Sequence, residues 1–591
     1  MASPRWNLTD VFPALDSPEF VSAFDSIGSD IAQLHALFDA HDVRGGTAPT
    51  VDGVLRAAFD AITSAMNGLI DRLRVVGTYL HCHVTTDARN EAAQARRSEL
   101  SAQTVRLEQL RVRYVAWIGS LDLEALLAES EIARDHEFLL RRAQQEAVHQ
   151  MSEAEESLAA ELAPAAIIGW VRLHGGMTAL LETTVEMDGE RKAMPMSSVR
   201  SLASHPDREV RRRAYEAEIA AWETIARPIA AALNGVKGWQ RTLRARRRYA
   251  DDVEPTLAHN SIDAPTLAAM QQACVESFPD FRRYIAAKAR ALGIEKPGWY
   301  DLTAPVAASV RTWTWEDATR FVIRNFGLYS DRLREFAARA FSEGWIDAEP
   351  RSGKEGGAYC APMRAGESRV MMNYDGSFGS VSTLAHELGH AYHNLNLAHR
   401  TPMQRMTPST LAETASIFCE TLAFDAALSQ AEPAERLALL DTTLERDLMV
   451  VVDIHSRFLF EKAVFQGRAE RDLTVTELNE LMLQAQREAY GSEVDPLHPF
   501  MWVVKGHYYG PTFYNYPYTF GLLFGLGIYA AYKRDPDRIR AQYDDFLSST
   551  GMADAADLGR RFGADVQNVD FWRAGLDEIR AHIDEFIKLT S

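Results

Sequence analysis

The residues best suited to chemistry stand in Thr383-Leu384-Ala385-His386-Glu387-Leu388-Gly389-His390. On a helix, a spacing of four puts His386 and His390 one turn apart on one face, where both imidazoles reach a single ion, with Glu387 beside it. Zinc prefers nitrogen ligands in tetrahedral geometry and keeps one position for water in catalytic sites, and a neighbouring carboxylate can take that water's proton. Hydrolysis is the chemistry expected. The competing explanation is chance, but two unpartnered histidines on a buried helix would be awkward without a ligand. Thr383 is the expected helix start, with Leu384, Leu388 and Leu395 as its packing face.

Two histidines need a further ligand. A metzincin continuation would place Gly at 393 and His at 396, whereas the sequence has His393 and Asn396. A carboxylate from a second helix is the better option, and Leu411-Ala412-Glu413 offers one. The structural alternative is specific: Thr410-x-x-Glu413 also has the form of a capping box, which would give Glu413 to a helix start. Glu420, seven residues on, is either an alternative ligand or an acceptor for a ligand histidine.

A second unusual segment is Gly506-His507-Tyr508-Tyr509-Gly510-Pro511-Thr512-Phe513-Tyr514-Asn515-Tyr516-Pro517-Tyr518. Phenols and an imidazole can donate to the oxyanion a carbonyl becomes on attack, although clustered tyrosines also simply pack cores. His81-Cys82-His83 is set aside as a metal site, because adjacent helix positions diverge and i,i+2 residues face nearly opposite sides.

These residues need elements to hold them. From about Val54 to Ala160 the chain is rich in Ala, Leu, Arg, Glu and Gln with apolar residues at helical spacing, which predicts long packed helices. Asp188-Gly189 predicts a β-hairpin turn. Ala358–Pro362 and Ser368–Tyr374 read as two short strands around Ala365-Gly366, just before the motif helix, serving either to pair with an extended peptide or to support the helix. Arg244–Arg248, with Asp251 and Asp252 nearby, reads as a solvated, salt-bridged face. Phe520–Tyr532 is too short for a membrane span and reads as a buried helix, and Phe571–Ile587 as an amphipathic one.

The formal charge of −19 over 591 residues argues against a general nucleic-acid or anionic-membrane binder. Four cysteines, far apart, predict reduced thiols, and no secretory signal is evident, so the expected location is cytoplasmic. The chain divides into residues 1–195, helical with a small hairpin, and 196–591, carrying the candidate site.

His386-Glu-Leu-Gly-His390, Leu411-Ala-Glu413, Gly356-Gly-Ala-Tyr-Cys, Asn373-Tyr and His507 with Phe513-Tyr-Asn-Tyr516 resemble the oligoendopeptidase F group of the thimet oligopeptidase superfamily. Trp6-Asn-Leu-Thr-Asp and Trp299-Tyr-Asp301 fit it too. The resemblance implies a mainly α, zincin-like metallopeptidase with a helical N-terminal region, a small β-sheet beside the metal helix and a deep channel admitting short peptides. It implies one zinc ion per chain on His386, His390 and Glu413, with Glu387 as general base. His507 and Tyr516 would bind substrate and steady the oxyanion, with Tyr514 the competing tyrosine. Short peptides are the expected partners of a monomer or small homo-oligomer. The alternatives are a zinc carboxypeptidase on a similar scaffold and a peptide-binding protein without turnover.

Overall fold

A computed structural model describes residues 3–46, 49–187, 189–307 and 311–591. It is mostly helical, with only small sheets. The principal helices are α1 (Pro18–Ala40), α2 (Gly53–Thr86), α3 (Glu91–Ser120), α4 (Arg208–Arg246), α5 (Ala264–Ala291), α6 (Phe378–Asn396), α7 (Thr414–Gln430), α8 (Pro433–Leu448), α9 (Ile454–Gly467), α10 (Tyr516–Arg534), α11 (Pro536–Ser548) and α12 (Val569–Leu589). The strands are β1 (Glu182–Met187), β2 (Glu190–Pro195), β3 (Ile346–Asp347), β4 (Tyr359–Arg364) and β5 (Glu367–Met371).

The chain forms two compact units, each assembled from three separate segments. The first comprises Met1–Glu153, Thr312–Ala426 and Arg534–Leu558; the second comprises Ala154–Arg311, Ala427–Lys533 and Gly559–Ser591. The expected division at residue 195 therefore falls inside the second unit, just after the β1–β2 hairpin. The reason is physical: segments remote in sequence return to bury one another's apolar faces, and a linear reading of composition does not register such returns.

In the first unit, α1, α2 and α3 converge on a core that includes Phe20, Ile27, Phe59, Leu80, Trp117 and Ile118. Met363 of β4 is buried in that core. Its sheet has the order β3-β5-β4, with β5 parallel to β3 and antiparallel to β4. Gly366 makes the β4–β5 turn at φ 74°, where an L side chain would be strained. β4 is thus an edge strand, but Pro362 has no N–H to offer and its carbonyl accepts from Thr78 Oγ1 at 2.9 Å. His81 and His83 pack against the rings of Tyr359 and Tyr79 rather than converging.

In the second unit, β1 and β2 pair antiparallel from Glu182↔Pro195 to Met187↔Glu190. Gly189 has φ 78°, as the expected turn requires, while Asp188 lies outside the described residues. The core gathers Trp222, Ile229, Leu233 and Val236 of α4 with Phe460 and Val464 of α9 and Trp502, Tyr508 and Tyr509. Arg244 pairs with Asp252 at 3.0 Å and Arg247 with Glu156 at 2.7 Å, the salt-bridged face expected of that basic run. Among the described residues no helix is long and apolar enough to cross a membrane.

Candidate metal centre and its neighbours

The motif helix begins earlier than Thr383. Ser377 is the N-cap, its hydroxyl accepting from the Ser380 amide at 3.2 Å, and Ser380 Oγ donates to Asp375 Oδ1 at 2.6 Å. Asp-Gly-Ser ahead of an apolar run supplies the cap, so His386 and His390 sit well inside α6, where helical geometry is fully established. β4, β5 and α11 pack against this helix.

Gly389 lets a second helix approach. A Cβ there would stand 2.5 Å from the Ala415 carbonyl oxygen and 2.6 Å from the Ser416 Cα. The two backbones therefore meet at the motif, which delivers Glu413 to the histidines. Glu413 is not part of a capping box: it follows the short helix Ser409–Ala412 and precedes α7, so its side chain leaves at a break between helices.

Among the described residues, His386, His390 and Glu413 are a set whose ligand atoms all lie within 4.8 Å of one another. Glu413 Oε2 is 3.2 Å from His386 Nε2 and 3.3 Å from His390 Nε2. His386 Nδ1 faces Glu420 Oε2 at 3.0 Å, and Ser382 Oγ donates to the other Glu420 oxygen at 3.0 Å. Glu420 therefore lies on the Nδ1 side of His386, opposite the Nε2 that faces Glu413, the place of an acceptor behind the candidate ligand. His393 turns away, its Nε2 2.8 Å from Thr550 Oγ1.

The charges follow from burial and pairing. Burial disfavours an imidazolium at His386, but Glu413 and Glu420 outweigh it and raise the group to about 10. Burial pushes the Glu413 carboxyl up, yet the two histidines hold it well below the usual carboxylate range. Glu387 is raised, first by burial and then by Glu413 and Glu420, against the opposing pull of His386 and His390. Among the described residues its Oε2 is buried without a hydrogen-bond partner. Two imidazole nitrogens and one carboxylate oxygen gathered in this way are an N₂O donor set that could hold a metal ion, with the orphaned Glu387 oxygen next to it in the chain.

The other predicted residues belong to the second unit. His507 lies in a 3-10 turn, Gly506–Tyr509, with its ring centroid 5.2 Å from that of Tyr514. Tyr514 is 39% and Tyr518 40% exposed, and the Tyr518 hydroxyl donates to Tyr514 Oη at 3.1 Å. Tyr516 is different: it is 1% exposed and its hydroxyl donates to the Thr256 carbonyl at 3.1 Å while accepting from Asn260 Nδ2 at 3.2 Å. In this structure the Tyr516 hydroxyl is thus engaged with the element that carries Thr256 and Asn260, unlike the exposed Tyr514 and Tyr518.

Residues 201–578 match the model of peptidase family M3, which is more than half of the chain, and residues 118–182 match a model described as oligopeptidase F. The chain belongs to peptidase family M3. It is 21% identical to oligopeptidase PepF of Bacillus subtilis over 602 aligned positions, spanning 100% of this chain and 87% of that one. It is 25% identical to the chromosomal oligoendopeptidase F of Lactococcus lactis subsp. cremoris over 412, covering 68% of this chain and 67% of the relative. The crystal structure of oligoendopeptidase-F from Enterococcus faecium superposes with a TM-score of 0.70 at 16% identity, covering 97% of this chain and 98% of that one. A Chlamydophila abortus protein described as a peptidase gives a TM-score of 0.84 at 20% identity over the whole of both chains. The likeness to these solved structures is one of fold.

Two residues of this M3 chain were not singled out from sequence. For Tyr518 the available signal is its i,i+4 spacing from Tyr514, which brings the two hydroxyls together. Gly389 carried no signal beyond its place between two motif residues, since a close helix approach is visible only in three dimensions.

Proposed function

We propose that this chain is a zinc-dependent endopeptidase acting on short peptides, with His386, His390 and Glu413 holding one zinc ion and Glu387 as general base. The observation that carries the reading is the convergence of two Nε2 atoms on one Glu413 oxygen, with Glu387, whose Oε2 is without a partner among the described residues, next in the chain to His386. Bound there, zinc would polarise the scissile carbonyl and lower the pKa of the attacking water. Glu387 takes that water's proton and passes it to the leaving nitrogen. Glu420 keeps His386 in the tautomer with its proton on Nδ1. His507 and Tyr514 are assigned to the substrate and its oxyanion. Because Tyr514 accepts from Tyr518, its own proton is left to donate, and the paired phenols polarise one another. The four free cysteines suit a reducing, cytoplasmic location.

The test is mass-resolved digestion of short unblocked peptides by zinc-loaded protein. Internal fragments are expected. Release of single C-terminal residues would replace this reading with a carboxypeptidase, and peptide affinity without any product would replace it with a binding protein.

A further inference from the structure

Asp453, Arg457 and Glu461 stand at i, i+4 and i+8 on one helical face, and the mechanism above uses none of them. Their side chains are only 3%, 8% and 2% exposed. Asp453 closes a π turn, Met449–Asp453, that joins α8 to α9. Such turns occur mostly as local insertions and often at functional sites. Here one of its carbonyls, Val450 O, accepts from Thr519 Oγ1 of α10 at 2.6 Å.

Each residue of the face has a defined task. Asp453 Oδ2 accepts from Arg457 Nε at 2.7 Å, and Oδ1 from the Tyr490 hydroxyl at 3.4 Å. Arg457 Nη1 then reaches beyond its own helix to donate to Asn515 Oδ1 at 3.0 Å. Glu461 Oε1 accepts from Lys237 Nζ at 2.7 Å and from the Phe513 amide at 3.0 Å. Phe513 is a non-glycine residue at φ 50°, a conformation that persists only where the surroundings impose it. Gln240 Nε2 adds a bond to the Gly510 carbonyl at 2.7 Å. A buried ion ladder serving its helix alone would end at the i,i+4 pair; this one ends on Phe513 and Asn515, the two residues that flank Tyr514.

We infer that the Asp453–Arg457–Glu461 face is the positioning device of the His507–Tyr514 loop: Glu461 fixes Phe513, Arg457 fixes Asn515, and Tyr514 is held from both sides. This rests on the roles assigned to His507 and Tyr514 above. Three groups bear on the His507 ring besides Tyr514. Burial pushes the imidazole below its ordinary value, the Arg457 charge and more weakly Lys505 push the same way, and Asn515 opposes them. Arg457 thus sets both the geometry and the field at the loop, and the two can be separated.

The test uses the zinc-loaded full chain. Asp453→Asn with Arg457→Gln removes both charges without leaving a lone buried carboxylate. Kinetics on a short peptide are read beside the NMR titration of the His507 ring, assigned by its loss in His507→Gln. The double variant is expected to lose on the order of 10²-fold in kcat with KM little changed, because a misplacement near 1 Å suffices for that, and His507 should titrate at higher pH. Arg457→Lys should keep the His507 titration but not the rate, since an ammonium lacks the fork that spans Asp453 and Asn515. Asn515→Ala breaks the same contact from the loop side and serves if the double variant does not fold. Folded variants with wild-type kcat and an unmoved His507 titration would overturn the inference. If His507→Gln itself turns over normally, the role of His507 fails, while the titration shift still decides whether Arg457 acts on the loop.

Discussion

Gly389→Ala probes the joint on which the metal site depends. The added Cβ would lie 2.5 Å from the Ala415 oxygen, 2.6 Å from the Ser416 Cα and 2.9 Å from the Ala415 carbonyl carbon, all backbone atoms that cannot swing aside. Ordinary contact begins near 3.4 Å, so α6 and α7 must part by about 0.9 Å at that point. Metal–ligand distances tolerate about 0.2 Å, so a shift of this size between the histidines on α6 and Glu413 at the start of α7 should weaken zinc binding at least tenfold, or about 1.4 kcal/mol. Overpacking should cost about 1–3 kcal/mol of folding stability, offset by about 1 kcal/mol of helix propensity. Gly379→Ala is the control: on the same helix its Cβ meets only Ser377 Oγ, at 3.4 Å. Chelator-competition titration gives the zinc affinity and urea unfolding of the metal-free protein gives the stability. Gly389→Ala with unchanged affinity and stability would refute the claim that backbone contact sets the ligand geometry.

Other outcomes follow from the same structure. Glu420→Gln should lower zinc affinity by about 10- to 100-fold, read by the same competition titration, because the His386 Nδ1 proton loses its charged acceptor. Tyr514→Phe should lower kcat on the order of 10²-fold, while Tyr516→Phe should keep the rate and lose about 1 kcal/mol of stability in urea unfolding from its bond to Thr256. Burial holds His455 down to about 4, against about 6.5 when unfolded. The unfolded chain therefore binds the extra proton first, and stability is lost as pH falls from about 6.5 toward 4, at up to about 1.4 kcal/mol per pH unit. His455→Gln should flatten that part of a pH–stability curve, and an unchanged slope would remove His455 from it.

The candidate metal cluster was legible because its two histidines and Glu387 share one helix, where spacing alone fixes direction. Glu413 could be proposed from its place after a loop, but its separation from the capping-box reading needed the break between Ser409–Ala412 and α7. Its place beside a loop favours Glu413 over Glu420, seven residues on, as the ligand; the break sends the first to the Nε2 side of His386 and the second to Nδ1. The tyrosines were harder. Left-handed Phe513 lies immediately before Tyr514, so strict helical or strand periodicity does not carry through the loop, and the exposed pair proved to be Tyr514 and Tyr518. The units were least legible, since their segments join through contacts that local composition does not encode.

The central claim is that one cluster both binds zinc and works through Glu387. It is tested most directly by measuring zinc content and peptide hydrolysis of Glu387→Gln beside the parent protein. The account predicts one zinc ion per chain in both, with hydrolysis by the variant lower by roughly 10²- to 10⁴-fold. A variant that keeps its zinc and cleaves peptides at the parental rate would contradict it.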